Sequence, residues 1–330
     1  TCGSGAFLFA AMNILESLYE TCIERMRAFT LDEDLFNQEN KKNFSNKFES
    51  FRKILSETQN EQHPNLKYFI YKKIILNNLY GVDMMKEAVE IAKLRMFLKL
   101  VATVDADFNK PNLGLEPLPD IDFNIRSGNT LVGFASYNEA IRAIHERDKN
   151  VSAKQSRIDL VFEQELTVVN AVKEKAELVS MAFARFKDAQ LIEKKSDDFR
   201  KAKDDLNLRL KDLNNVLNIY QAFLYAVDKD KKPKLYEQWI ETHQPFHWFA
   251  EFYEIIQGNG GFDVIIGNPP YVVYTATNSA YIIKDYETLS CANLYAYCSE
   301  RSFIIMQSQG RFGMIIPNSS ISADKLAPLQ

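Results

Sequence analysis

The sequence predicts an α/β fold: an open sheet of short strands whose two halves are separated by a long inserted helical hairpin. Three observations carry that prediction. Phe262-Asp263-Val264-Ile265-Ile266-Gly267-Asn268-Pro269-Pro270-Tyr271 reads as a β-branched strand that stops abruptly, because Gly267 ends it and two prolines have no N–H to give to a ladder. The 12 glycines stand at 3, 5, 81, 114, 128, 133, 258, 260, 261, 267, 310 and 313, where strands would end. Residues 134–232 contain neither glycine nor proline, and their apolar side chains recur at steps of three and four, the seam of an antiparallel helix pair.

Taken in order, Thr1-Cys2-Gly3-Ser4-Gly5 is a glycine turn that runs straight into a helical segment over 6–15. A turn at a helix N-terminus lets backbone N–H groups meet an anion, although a lone GxG is equally a plain helix start. There is no starting Met and no strand ahead of the turn, so a fragment of a longer protein is expected. Residues 27–77 are polar and mixed: a helix with a solvated face over 41–51, a loop over 60–65, and an apolar pattern over 68–77. Residues 79–83 read as a short strand ending in Asp83. A helix follows over 84–100, with Met84, Ala88, Ile91, Leu94 and Leu98 as its apolar face. Asp83 suits two purposes, an N-cap for that helix or an acceptor for ribose hydroxyls at a strand end. Residues 111–119 are a loop, 121–126 alternate as a third strand, and Ser127-Gly128-Asn129-Thr130-Leu131 closes it.

In the glycine-free stretch, Val169, Val172, Ala176, Val179, Phe183 and Phe186 form one stripe. Phe199, Ala202, Leu206, Leu210, Leu213, Leu217, Tyr220, Leu224 and Val227 form the other. Residues 193–198 are the expected turn. The prediction is two long antiparallel helices over 151–227 projecting from the sheet, each arm about 50 Å long at about 1.5 Å per residue. A spacer with a solvated face and a DNA- or partner-contacting arm both fit. After the strand at 262–267, a helix opens at 292–297 and runs to about residue 309, and 311–316 is a strand that ends at Pro317.

Composition sets the class. The chain has 330 residues, 46% apolar and 25% charged, which is ordinary for a soluble globular protein. No apolar run approaches the roughly 20 residues of a membrane span, and the first residues lack the basic region of a signal peptide. A cytoplasmic protein without a membrane partner is expected, with Cys2, Cys22, Cys291 and Cys298 as reduced thiols. His243 and His247 have helical metal-ligand spacing. They sit among Trp239, Phe246 and Trp248 without a cysteine set or an HExxH, so an aromatic cluster is expected and no metal. The net charge of −4 argues against a uniformly basic nucleic-acid coat. Ser4 is not in G-x-S-x-G and no GK[ST] follows Gly5, so hydrolase and P-loop readings fail.

The chemistry at the strand end is specific. The Asn268 side-chain oxygen and the Pro269 carbonyl are acceptors, and two acceptors side by side suit a planar NH2 group with two hydrogens to donate. The prolines Pro269 and Pro270 restrict the backbone that presents them. Tyr271 offers a face on which a base could stack, worth about 1–3 kcal/mol. The plainer alternative is a strand end with a Pro-Pro turn and a capping Asn.

TCGSGAFL, then LYGVD followed by a helix, then FDVIIGNPPY, in that order, resemble the N6-adenine DNA methyltransferases, in particular the Eco57I-like methylase region of type IIG restriction–modification proteins. NLYAY and GRFGMIIPNSS look like that family's later motifs. The resemblance covers residues 1–25, 78–135 and 255–325 and leaves the hairpin unexplained. It implies a Rossmann-like S-adenosyl-L-methionine-dependent methyltransferase sheet. The cofactor-binding half would occupy 1–135, a helical insertion 136–255 and the catalytic half 256–330. The family's first motif begins Asp-Pro-Xaa-Cys-Gly-Ser-Gly; here it begins at Thr1, so its strand and acid are cut off, and the isolated fragment is expected to be inactive and to bind cofactor weakly.

Carried over, Gly3 and Gly5, with Thr1, Cys2 and Ser4 in the same turn, would line the methionine part of S-adenosyl-L-methionine. Asp83, followed by Met84, would bind its ribose. Asn129, followed by Thr130, would lie near its adenine, at a position where many relatives carry Asp. Asn268, Pro269, Pro270 and Tyr271 would hold the target adenine, flipped out of double-stranded DNA because N6 is unreachable inside a base pair. No metal is implied. A target-recognition domain and a nuclease domain of the same polypeptide are the implied partners. Asn-Pro-Pro-Tyr also occurs in glutamine N5 and RNA guanine N2 methyltransferases, and a non-catalytic scaffold that binds a partner through its hairpin is the alternative of a different class.

Overall fold

The computed structural model describes residues 2–40, 48–59, 65–104, 107–109, 113, 117–152, 158–191, 196–277, 279–322 and 324–329. Thr1, residues 41–47 of the helix expected at 41–51, residues 60–64 of the expected loop, most of the loop at 111–119, and residues 193–195 of the expected hairpin turn lie outside them. The chain divides into two units, one of Cys2–Gly81 and Met85–Arg126, the other of Val82–Met84 and Ser127–Gln330.

The smaller unit is helical. It holds α1 (Ala6–Asn40), α2 (Glu49–Thr58), α3 (Leu66–Asn77) and α4 (Lys86–Val101). Asn65 starts α3 by accepting from the Tyr68 N–H at 2.8 Å, the N-cap geometry that supplies one orphan amide. α3 is buried nearly all round, through Tyr68, Phe69, Ile70, Tyr71, Ile74 and Ile75. Leu8, Met12 and Ile23 of α1 share its core, and α1, which includes the helical segment expected at 6–15, runs 35 residues. By length and composition its first part, Ala6–Asp32, could cross a membrane.

α4 stands where it was predicted but turns the other way. Val89, Ala92, Met96 and Leu100 are buried, whereas Ile91, Leu94 and Leu98 of the expected face are 48%, 56% and 60% exposed. The helix carries two apolar stripes of equal spacing, and size decides between them. Ala92 lets α1 approach: a Cβ built on Gly5 would lie 3.0 Å from the Ala92 Cβ.

β1 (Gly81–Asp83) and β2 (Ile125–Ser127) pair as a two-stranded sheet. Gly81 N–H donates to Asn124 O at 2.9 Å, and Gly128 N–H donates to Asp83 O at 2.9 Å. The strand expected at 121–126 begins only at Ile125, because residues 122–124 form a turn. The Asn124 side-chain amide donates to the Ile75, Leu76 and Leu79 carbonyls at 3.3, 3.1 and 3.2 Å. It thereby satisfies acceptors at the C-terminal end of α3 and bends the chain.

The larger unit holds α5 (Tyr137–Ser152), α6 (Ile158–Leu191), α7 (Ser196–Leu224), α8 (Pro233–His243), α9 (Trp248–Glu251), β3 (Phe262–Gly267), α10 (Leu294–Ile305) and β4 (Met306–Met314). α6 and α7 are the expected hairpin. Val172, Ala176, Val179 and Phe186 are buried along one arm, and Leu206, Leu210, Leu213 and Leu217 along the other. Phe186 and Phe199 have ring centroids 5.5 Å apart near the turn. The hairpin is fastened at two points to the residues that follow it. Lys187 pairs with Glu254 at 2.9 Å, and the Asn214 amide donates to Glu251 at 2.7 Å. Polar side chains of both arms are thus bonded to residues that follow the hairpin within the insertion.

β3 and β4 run parallel, with Val264 opposite Arg311 and Gly267 opposite Met314. The register shifts between Phe262, opposite Met306, and Val264, so Met306–Gln309, expected as the end of a helix, are strand. The expected four strands are present, but among the described residues they form two separate two-stranded sheets rather than one. β1 and β2 are three residues each. Val264 and Ile266 stay 58% and 40% exposed, unlike the two-sided burial usual for parallel strands.

Candidate functional site

β3 ends where the sequence says it must. Gly267 O accepts from Ile315 N–H at 3.1 Å, the last tie before the prolines. Pro269 is buried and Pro270 half-buried, which anchors the turn, while Asn268 is exposed. Among the described residues neither the Asn268 side chain nor the Pro269 carbonyl takes part in a hydrogen bond, so two acceptors are left over at one strand end.

Tyr271 is 50% exposed. Its hydroxyl donates to Ile315 O at 2.7 Å. The edge-to-face partner of its ring is Tyr295, with centroids 6.2 Å apart and planes at 89°. The chain then runs antiparallel to the start of α10. Leu294 N–H donates to Val272 O at 3.1 Å and Tyr274 N–H to Ala292 O at 2.9 Å, and Val273 bridges Asn293.

A second constellation in the same unit gathers around the residues after β2. Asp83 is buried at the end of β1 and tied by its carbonyl to Gly128. It does not cap α4, whose N-cap is Met85, which removes one of the two purposes open to it. Met84 beside it is half-buried. Asn129 is 1% exposed. Its Oδ1 accepts from Leu131 N–H at 3.1 Å, which fixes the orientation of the amide. Its Nδ2 is buried without a hydrogen-bond partner. The Thr130 carbonyl accepts from the Trp248 indole N–H at 3.1 Å.

This turn wraps Phe246. A Cβ on Gly128 would lie 2.7 Å from the Phe246 ring, and one on Gly133, whose φ is +125°, would lie 2.3 Å from the Phe246 carbonyl oxygen. Phe246 N–H donates to Val132 O at 2.7 Å, and Asn129 N–H to Gln244 O at 2.8 Å. Arg301 of α10 completes the support. Its Nε donates to the Tyr286 hydroxyl at 2.8 Å, which donates in turn to Leu131 O at 2.9 Å. Its Nη1 reaches Glu139 at 3.4 Å. The sequence reading missed this frame. Its available signals were the glycine pair flanking residues 129–132 and the aromatic run at 246–252, which was read only as a cluster around histidines.

Those histidines are structural. His247 accepts from Phe134 N–H at Nδ1 (3.0 Å) and meets Asn218 Oδ1 at Nε2 (3.0 Å). His243 accepts from Ile282 N–H at Nε2 (3.1 Å), and its Nδ1 faces Trp239 O at 3.2 Å. Both stack on aromatic rings. Among the described residues no three His, Cys, Asp or Glu side chains gather as metal ligands would.

In the smaller unit the first glycine turn closes through Gly5 N–H to Cys2 O at 3.0 Å. Cys2 is half-buried. Gly3 has φ +54°, and a Cβ there would meet nothing within 4 Å, whereas Gly5, with φ +80°, is fitted to Ala92. Arg95 donates to Ser4 O at 3.0 Å and lies 3.3 Å from Ser4 Oγ. Gly3 thus faces open space, and Gly5 answers a packing demand.

Likeness to known proteins sets the class: the chain belongs with the methylases of restriction–modification systems. The chain is a member of the Eco57I restriction-modification methylase family, which matches residues 77–329. A protein of Methanocaldococcus jannaschii named as a type II restriction enzyme and methyltransferase is 32% identical, over 76% of this chain and 23% of its own length. The chain therefore spans about a quarter of that relative. No solved structure matches.

Proposed function

We propose that the protein transfers a methyl group from S-adenosyl-L-methionine to N6 of adenine in double-stranded DNA, as the methylase of a restriction–modification system in the cytoplasm. The observation that carries this reading is the pair of unengaged acceptors at Asn268 and Pro269 beside the exposed face of Tyr271. An adenine N6 has two hydrogens to donate and a ring to stack, and a duplex base presents both to such a strand end only by leaving the helix. Acceptance of both N6 hydrogens draws the nitrogen lone pair out of conjugation and aims it. Holding donor and acceptor in line supplies most of the rate.

The residues present fit the cofactor. The Asn129 Nδ2 is a buried donor with no acceptor, a match for a ring nitrogen of adenine. Asp83, not used as a cap, suits ribose hydroxyls, with Met84 and Thr130 flanking the two. In the other unit Gly3 leaves room for a ligand, and the turn of Cys2, Ser4 and Gly5, with Thr1 ahead of it, is the candidate for the methionine portion. The cofactor supplies an electrophilic sulfonium methyl. The fold proposed for this chemistry is a Rossmann-like methyltransferase sheet. By analogy with the longer relative, a target-recognition domain and a nuclease domain of the same polypeptide are the proposed partners.

Transfer of labelled methyl to duplex DNA, with N6-methyladenine identified in the product, tests this. In the intact protein Asn268→Ala should lower turnover by about 10²–10³, the usual effect of removing one preorganised polar group that acts mainly in the transition state, with cofactor affinity changed only a few-fold. Asn268→Asp keeps an acceptor and should retain more activity. Near-normal turnover in Asn268→Ala, or label found on protein glutamine or RNA guanine instead of DNA, would overturn the assignment.

A further inference from the structure

We infer that Tyr295 is a positioning residue for base capture, holding the ring of Tyr271 upright so that one face stays open to the flipped adenine. The inference rests on the proposed DNA-adenine reading and extends it to a residue that the sequence reading did not assign.

Tyr271 needs a support. It follows two prolines and is half exposed. Two contacts fix it. The hydroxyl is tied to Ile315 O at 2.7 Å, which sets where the far end of the ring lies but leaves rotation about its long axis. The Tyr295 contact, at 89° between planes, stops that rotation, because edge-to-face packing is directional and a tilted ring loses it. Tyr295 itself cannot yield: it is 3% exposed and sits in the first turn of α10, whose start is stapled to the chain after Tyr271 at Val272, Val273 and Tyr274. Val272, next in the chain, and Ile315, whose carbonyl holds the hydroxyl, are both exposed, so an unsupported ring has room to turn. The rotated ring would then close the face that a base requires. Tyr295 therefore keeps Tyr271 ready without touching substrate.

The test is a double-mutant cycle in the intact protein, read by methyl transfer and by fluorescence of duplex DNA carrying 2-aminopurine at the target adenine. Tyr295→Leu keeps apolar volume and removes the ring. It should raise the KM for DNA about two- to tenfold, the range of one lost aromatic pair, and alter the 2-aminopurine signal of the captured base. The KM for cofactor should stay within about twofold of the parent. Tyr295→Phe keeps the ring edge and should behave as the parent does. In a Tyr271→Ala background Tyr295→Leu should have no further effect on DNA KM, because positioning has nothing left to position. Additive losses, or a Tyr295→Phe as impaired as Tyr295→Leu, would overturn the inference while leaving the DNA-adenine reading intact. If Tyr295→Leu fails to fold, Tyr295→Met in the same cycle decides between the same outcomes. Failure of the unsubstituted protein to methylate adenine would overturn both.

Discussion

His247 shows how a single side chain is assigned by its neighbours. A main-chain donor, Phe134 N–H, points at Nδ1, and an acceptor, Asn218 Oδ1, meets Nε2, so the one ring proton belongs on Nε2. A second proton would have to enter Nδ1 against a donor. Burial, and after it the charge of Arg301, push the pKa down to about 3 from 6.5. The sign follows. The folded state prefers neutral imidazole, so the contribution to stability is complete above about pH 6.5 and is lost as pH falls toward 3. Between pH 7 and pH 5 the loss should be about 2 kcal/mol, at about 1.4 kcal/mol per unit of pKa difference. Urea unfolding at the two pH values, compared with His247→Gln, checks this: the variant should lack that part of the slope, and an identical slope would place the histidine in solvent. Asn129 teaches the same lesson from the opposite side. Its place after a strand was legible in the sequence, but the spare Nδ2 donor was not, because only the Leu131 amide decides which end of its side chain is free.

Single elements are legible in the sequence where one local signal stands alone, and not where two local signals are equal. The stop after Gly267, the start of the helix after Asp83 and the hairpin seam all follow from proline, glycine and apolar period, and the structure places each within a few residues. α4 was read with its faces exchanged, since two stripes of equal spacing differ only in which one admits α1. The alternation at 121–125 includes a turn, because Asn124 bonds the Ile75 and Leu76 carbonyls of α3 and the Leu79 carbonyl beyond it, 45 to 49 residues away in sequence. The same α1–α4 contact yields a prediction. Gly5→Ala combines a positive φ of +80° with a Cβ placed 3.0 Å from the Ala92 Cβ, whereas Gly3→Ala combines +54° with open space. Gly3→Ala should cost about 1 kcal/mol of left-handed strain. Gly5→Ala should cost that and a further 1 kcal/mol or more, at the low end of the roughly 1–3 kcal/mol typical of overpacking. Equal losses for the two variants in thermal unfolding would show that the helices do not meet at Gly5.

At the scale of the whole molecule, the two units are stabilised by different means. The smaller is held chiefly by an apolar core built on α3, with Tyr71, Ile74, Ile75, Ala92 and Met96 almost fully buried. The larger has apolar seams of its own, but its helices are also joined by polar side chains that sequence pattern could not pair: Arg301 of α10 with Glu139 of α5 and, through Tyr286, with the turn after β2. Glu139 also accepts from Ala135 N–H at 2.7 Å, so one carboxylate serves both the start of α5 and the cation. Burial lowers and the partners raise the Arg301 pKa, and the outcome is upward, which keeps the guanidinium charged. Arg301→Met fills similar space without charge or donors. It leaves a largely buried Glu139 without its cation and a buried Tyr286 hydroxyl without its donor, and breaking one side of a buried ion pair costs about 3–5 kcal/mol. That loss should be local, because Arg301, Tyr286 and Glu139 all lie in the larger unit and cooperative units can open separately. Native-state hydrogen exchange of Arg301→Met should therefore show faster exchange in α5 and α10 by two orders of magnitude or more, about 1.4 kcal/mol corresponding to each tenfold. The amides of α3 should exchange at their parental rates. Uniform acceleration through both units would mean that the molecule unfolds as one and that Arg301 supports all of it.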